Sequence, residues 1–300
     1  MILRTCPCRG RCTAARSAPL RPGVRHINRT MKSKTPIHGN CHLCGRYRQL
    51  TYEHIPPQAA FNNHTILYDD IVKLLTNGFD QPFTGKQQQG GIGRYTLCSD
   101  CNSFTGREYG APYVSWCMQG MEVLHRTASN PFIDMPFHIF PLRVLKQIVS
   151  MFLSVNGIGW RNANMDLVEF VYLPKRKYLS RKYSVYAFYS VSAIQRQSGT
   201  AIRFCTNERF ENLGMDAFSE ITFPPFGYVM TVDNDAHDSR LVDISYFANR
   251  AENELRMEYL KLPVLPIFTS YPGDYRTKEE IEEDIRTNER RDRERANQSL

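Results

Sequence analysis

Leu142, Leu145, Ile148, Val149 and Phe152 recur at intervals of three and four, the repeat of one helical face, and Asn156-Gly157 supplies a stop. Downstream the rhythm shortens. Leu167–Leu173, Tyr183–Val191, Ala201–Cys205, Ile221–Phe223, Tyr228–Val232 and Leu241–Phe247 predict strands, and Glu252 to Leu260 predicts a helix. Strands in such succession predict an antiparallel sheet or a small barrel. Upstream, Arg48 to Tyr52 and Arg94 to Leu97 read as two short strands, and Ser99 to Glu108 reads as the start of a helix. Ile66 to Leu75 fits a short helix or strand, and Gln87 to Gly93 reads as a flexible polar segment. From Lys278 onward the chain is a mixed-charge run with almost no apolar stripe, which predicts a solvated, fraying helix.

These patterns divide the chain into a basic tail (1–35), a small module (36–110), an α+β unit with a mostly antiparallel sheet (111–275) and a charged helical tail (276–300). At 300 residues, about two domains are expected. The 42% hydrophobic share is enough for a packed core, and no apolar run approaches the ~20 residues that span a bilayer. The chain is therefore expected to be soluble, with no membrane-spanning helix.

Charge changes the picture in one place. The formal net charge is +8, but nine of the 38 Lys and Arg lie in residues 1–35, which hold no acid, leaving 29 basic against 30 acidic residues elsewhere. A nucleic-acid surface would have to be a local patch. The first 35 residues fit a disordered segment, an organellar transit peptide, a basic arm, or a start site placed upstream of the true one at Met31.

Four of the nine cysteines form two pairs, Cys41-His-Leu-Cys44 and Cys98-Ser-Asp-Cys101. Two such pairs supply the four soft donors of a tetrahedral Zn²⁺ site. Four sulfurs leave no open position, so this Zn²⁺ is expected to be structural. The remaining cysteines do not form a secreted disulfide framework, and thiolate ligands fit a reducing, cytoplasmic setting. Between the pairs stands Glu53-His54-Ile55-Pro56-Pro57, and Asn102 follows the last cysteine. His54 is suited to take a proton from water near neutral pH. Glu53 and Asn102 offer hard oxygens that suit Mg²⁺ or Mn²⁺.

Cys-x-x-Cys, then Glu53-His54-Ile55-Pro56-Pro57, then Leu97-Cys98-Ser99-Asp100-Cys101-Asn102-Ser103-Phe104-Thr105-Gly106 resembles the HNH (ββα-metal) endonuclease family in its zinc-containing form. The resemblance covers roughly a quarter of the chain. It implies a treble-clef-like ββα-metal module and metal-dependent hydrolysis of nucleic-acid phosphodiester bonds, DNA above RNA. It also implies His54 as general base and Glu53 and Asn102 as ligands of the catalytic metal. Three positions differ from the family pattern: Glu53 stands where Asp is usual, Thr105 where Lys is common, and Gly93 where an Asn holds the loop of the base. Asn62, Asn63 or His64 could take that Asn's place, or could form a plain polar turn.

Lys175, Arg176, Lys177, Arg181 and Lys182, with Tyr178 and Tyr183 interleaved, form a basic loop that could grip phosphates or be a solvated hairpin tip. Three readings of function follow: a nuclease, an inactive zinc module that binds nucleic acid or protein, and a partner-binding scaffold centred on 111–275.

Overall fold

The small module is built as a hairpin leading into a helix. The computed structural model describes residues 2–5, 35–69, 86–127, 130–192, 194–205, 214–233, 236 and 238–298. Residues 6–34, the end of the Ile66–Leu75 segment and His237 lie outside the described residues. Ile2–Thr5, at the start of the basic tail, forms strand β1. Strands β2 (His38–Asn40), β3 (Tyr47–His54) and β6 (Gly93–Cys98) form a three-stranded antiparallel sheet. From β6 the chain turns directly into helix α1 (Ser99–Thr105), passes through one π-helical turn at Gly106–Gly110, and continues as α2 (Ala111–Thr127).

The segment between the two hairpin strands is structured where it is described. β4 (Ile66–Asp69) and β5 (Lys86–Gln88) pair with each other, and β4 also pairs with β1. Through β1 and β9 (Ile194–Cys205) they extend the large sheet. Gln87 to Gly93 is therefore not simply a flexible polar segment. It contributes β5 and then Ile92, which is buried against Ile66 and Phe223. Burial of that one apolar side chain anchors an otherwise polar run.

The remaining elements are β7 (Phe132–Ile139), α3 (Pro141–Asn156), α4 (Ile158–Ala163), α5 (Met165–Tyr172), β8 (Tyr183–Ser190), β10 (Gly214–Phe223), β11 (Phe226–Val232), β12 (Val242–Asp243), a 3-10 turn (Ser245–Asn249), β13 (Arg256–Leu265) and α6 (Lys278–Gln298). The large sheet has the order β5-β4-β1-β9-β10-β11-β8-β13-β7, with β12 also on β8. Its pairings are antiparallel except between β13 and β8. The protein is thus a mixed α/β fold with a mostly antiparallel sheet.

Three further segments differ from the sequence reading. Of Leu241–Phe247, expected as a strand, only Val242–Asp243 is one, and a 3-10 turn begins at Ser245. Leu167–Leu173 was expected to be a strand, yet Met165–Tyr172 is helical and buries Leu167, Val168, Phe170 and Val171. Those positions fall at helical offsets of one, three and four around the exposed Glu169, but so short a run, rich in Val, Phe and Tyr, suits a strand equally well. Glu252 to Leu260 was expected to be helical, yet Arg256–Leu265 is a strand that buries Glu258, Leu260 and Leu262 alternately. Glu258 reads as surface in the sequence. It sits inward because Arg250 Nε donates to its Oε1 at 3.1 Å and the Arg256 guanidinium forms an ion pair with the same oxygen at 2.9 Å.

Helix α3 organises the interior. Pro141 opens it at the first turn, where a missing N–H costs nothing, and Gly157 ends it at φ 88°. It is buried almost from end to end. One continuous apolar cluster runs from Cys41, Leu43, Leu50 and Leu97 in the small module through α3 to Tyr228 and Leu262 in the large sheet. Among the described residues no helix is long and apolar enough to cross a membrane.

Candidate active site and cysteine cluster

The hairpin carries both candidate sites, one at each end. At one end, Leu50 of β3 pairs with Cys98 of β6; at the other, His54 pairs with Gly93. The sulfurs of Cys41, Cys44, Cys98 and Cys101 all lie within 4.8 Å of one another. A tetrahedron with ~2.3 Å metal–sulfur bonds has edges of about 3.8 Å. The Cys44–Cys98 separation of 3.9 Å already matches one edge. The backbone N–H of Cys98 donates to Cys41 Sγ at 3.3 Å, as suits a thiolate. The Cys101 thiol beside it holds Cys41 well below the usual thiol range, at about 4, and Cys101 is pushed up in turn. The four cysteines could hold a metal ion such as zinc, and as a complete sulfur shell they suit a structural one.

A bulge re-aims the other end. Strict alternation would put Glu53 on the face opposite Leu50. The register of β3 on β6 slips between Thr51 and Tyr52, and Leu50 and Glu53 are both buried. His54 follows on the half-exposed face. Glu53, His54 and Asn102 line one cleft of about 190 Å³, together with Tyr52, Pro57, Gln58, Thr105, Gly106, Gly110 and Gln147. Gly106 and Gly110 bound the π-helical turn and present no side chain to this space.

Each of the three residues is held by one end, leaving the other end available. Glu53 Oε2 accepts from Thr96 Oγ1 and from Ser154 Oγ, both at 2.8 Å, and Oε1 has no partner among the described residues. Burial pushes its carboxyl up to about 7, against the opposing effect of those two hydroxyls. Asn102 Nδ2 donates to Thr51 Oγ1 at 3.0 Å, and Thr51 Oγ1 donates to Leu97 O at 3.0 Å. That chain fixes the amide and leaves Oδ1 as its acceptor. His54 Nε2 stands 3.0 Å from Gly90 O. A carbonyl can only accept, so Nε2 carries the proton and Nδ1 holds the basic lone pair of the neutral ring.

Gly93 is required where it stands. A Cβ there would lie 2.0 Å from the backbone oxygen of Glu53, so no Asn can occupy the position. Asn62 tethers the loop instead. It is fully buried, its Nδ2 donates to Pro56 O and Ile92 O at 2.7 Å each, and its Oδ1 accepts from Ile92 N at 2.8 Å. These bonds join the Pro56 turn beside His54 to Ile92, the residue that leads into β6. Asn63 and His64 are exposed.

The basic loop lies between α5 and β8. Arg176 is paired with Glu169, and Lys182 Nζ donates to Asn164 Oδ1 at 3.0 Å. Lys175, Lys177 and Arg181 are exposed. Lys177, Tyr178 and Arg181 line a second cavity of about 470 Å³ with Tyr246 and Asn249.

Sequence reading missed the contributions of α3. Gln147, Ser150 and Ser154 recur at helical spacing, a pattern that normally marks a wet face. Here all three are buried, and Ser154 alone reaches both sites. Its hydroxyl holds Glu53, and its carbonyl faces His42 Nδ1, between the first two cysteines, at 3.1 Å. No family model, curated protein or solved structure matches this chain.

Proposed function

We propose that this protein is a metal-dependent endonuclease of the HNH type that hydrolyses nucleic-acid phosphodiester bonds, with DNA as the favoured substrate. One observation carries the reading. An imidazole held through Nε2 by Gly90 O lines the same cleft as a carboxylate oxygen and an oriented amide oxygen that have no partner among the described residues. They stand on a hairpin and helix joined by four clustered cysteines.

His54 is positioned by Gly90 O so that Nδ1 takes the proton of the attacking water. Glu53 Oε1 and Asn102 Oδ1 are hard donors that fit Mg²⁺ or Mn²⁺, and such an ion, when bound, supplies charge neutralisation at the phosphate and the leaving oxygen. Thr51 keeps the Asn102 amide turned, while Thr96 and Ser154 keep Glu53 Oε1 free. The Zn²⁺ assigned to the cysteines fastens the start of the module to the helix that bears Asn102. Lys175, Lys177 and Arg181, with Tyr178, offer a phosphate-binding edge on the larger unit.

The test is a nicking assay on supercoiled and single-stranded DNA with added Mg²⁺ or Mn²⁺, comparing wild type with His54→Ala. Cleavage by wild type alone supports the proposal. If both proteins leave the DNA intact yet retard it in a gel, the module binds nucleic acid without cutting it.

A further inference from the structure

Gln147 is out of place in its helix. It lies on α3, almost wholly buried at 4% exposure, in a helix whose buried face is otherwise mostly aliphatic. Its Oε1 is enclosed and has no hydrogen-bond partner among the described residues. A buried amide left unpaired costs free energy that Leu or Met would not. Two buried polar side chains of the same helix are spoken for. Ser154 bonds to Glu53 at 2.8 Å, and Lys146 donates to the carbonyls of Phe170 and Leu173 at 2.5 and 2.6 Å. Gln147 lines the cleft that holds Glu53 and Asn102.

We propose that the Gln147 amide oxygen is a third protein donor to the divalent cation of this cleft, directly or through one water of the ion's shell. The inference rests on the metal-dependent reading of the cleft. Three elements then converge, each with one oxygen that the fold leaves without a partner: Glu53 Oε1 from β3, Asn102 Oδ1 from α1 and Gln147 Oε1 from α3. A hard cation that keeps several waters and takes few charged ligands suits one carboxylate and two neutral amides. A side-chain amide also turns readily about its last torsion, which lets Oε1 face an arriving ion. On this assignment the cation site is completed from outside the small module, by the helix against which that module packs.

The test is titration calorimetry of Mn²⁺ into the full chain carrying its zinc, without DNA, with thermal melting of each variant before Mn²⁺ is added. Gln147→Met keeps the length of the side chain and removes its oxygen. It is expected to weaken Mn²⁺ binding about tenfold while melting at or above the wild-type temperature. Gln147→Glu restores an oxygen donor and is expected to bind Mn²⁺ at least as tightly as wild type. The proposal is overturned if Gln147→Met binds Mn²⁺ as wild type does, or if it melts well below wild type before Mn²⁺ is added. In the first case the cleft remains a cation site held by Glu53 and Asn102. A wild-type protein that takes up no Mn²⁺ removes the metal-dependent reading and this inference together.

Discussion

The cysteine cluster and the cleft share a hairpin and a helix, and they satisfy opposite requirements. In the cluster four donors of one soft kind face inward at mutual distances under 4.8 Å. In the cleft the donors are hard and of different types, and each is held by its far end so that one atom stays unbonded. The first arrangement suits a permanent ion that stabilises the fold. The second resembles a buried polar network left incomplete, which costs stability and suits an exchangeable ligand. Neighbouring sites on one scaffold can thus be told apart by whether their polar atoms are satisfied.

The comparison breaks most sharply at the cysteines. Cys98→Ser is expected to lose its metal and unfold, because binding at such a site is folding free energy, of order 10 kcal/mol in small zinc modules. Elemental analysis with thermal melting reads this, and a variant that melts as wild type would remove the structural role. The cleft should respond the other way. His54→Ala is expected to cut about 10²–10⁴-fold more slowly with an unchanged melting temperature.

Two substitutions lie between these extremes. Asn62→Ala removes three buried hydrogen bonds and strands the groups of Pro56 and Ile92. Denaturant unfolding should show a loss of about 3 kcal/mol, with slower cleavage because the loop around His54 loosens. Glu53 gives a pH signature. Its folded pKa of about 7 lies above the ordinary value of 4.5, so its favourable contribution is complete below about 4.5. That contribution is lost as pH rises through 7, a change of roughly 3 kcal/mol. Without added Mg²⁺ or Mn²⁺, Glu53→Gln should therefore be more stable than wild type at pH 8 and equal to it at pH 4, while cleaving nothing. Equal stabilities at pH 8 would refute the buried, high-pKa carboxyl. The smallest effect is expected at the basic loop, where Lys175, Lys177 and Arg181 changed together to Ala should weaken DNA binding several-fold and flatten its salt dependence.

Local chemistry was legible in the chain, and tertiary context was not. Cysteine spacing, the two hairpin strands, α3 and its Gly157 stop, and most of the large sheet follow from short-range patterns. The α5 helix did not, because eight residues rich in β-branched and aromatic side chains are too few to separate a helix from a strand. Nor did β13, whose inward Glu258 is neutralised by arginines on and before its own strand. Gly93 looks like a loss of the tethering residue when read in register. Space explains it: the Cβ of any other residue would meet Glu53 O, and the tether moves 31 positions upstream to Asn62. Ser154 and Gln147 were invisible for a related reason. A polar stripe on an amphipathic helix reads as its wet side, and only the packing of the hairpin onto α3 turns that side inward.

The hydroxyl of Ser154 has an engineering consequence. It spans 101 positions of sequence to reach Glu53, and the same residue's carbonyl meets His42. A fragment cut at the hairpin and its first helix would keep all four clustered cysteines, yet would lose this clasp and open its apolar back to water. Anyone transplanting the hairpin and its cysteine cluster to another scaffold would have to carry α3 along with them.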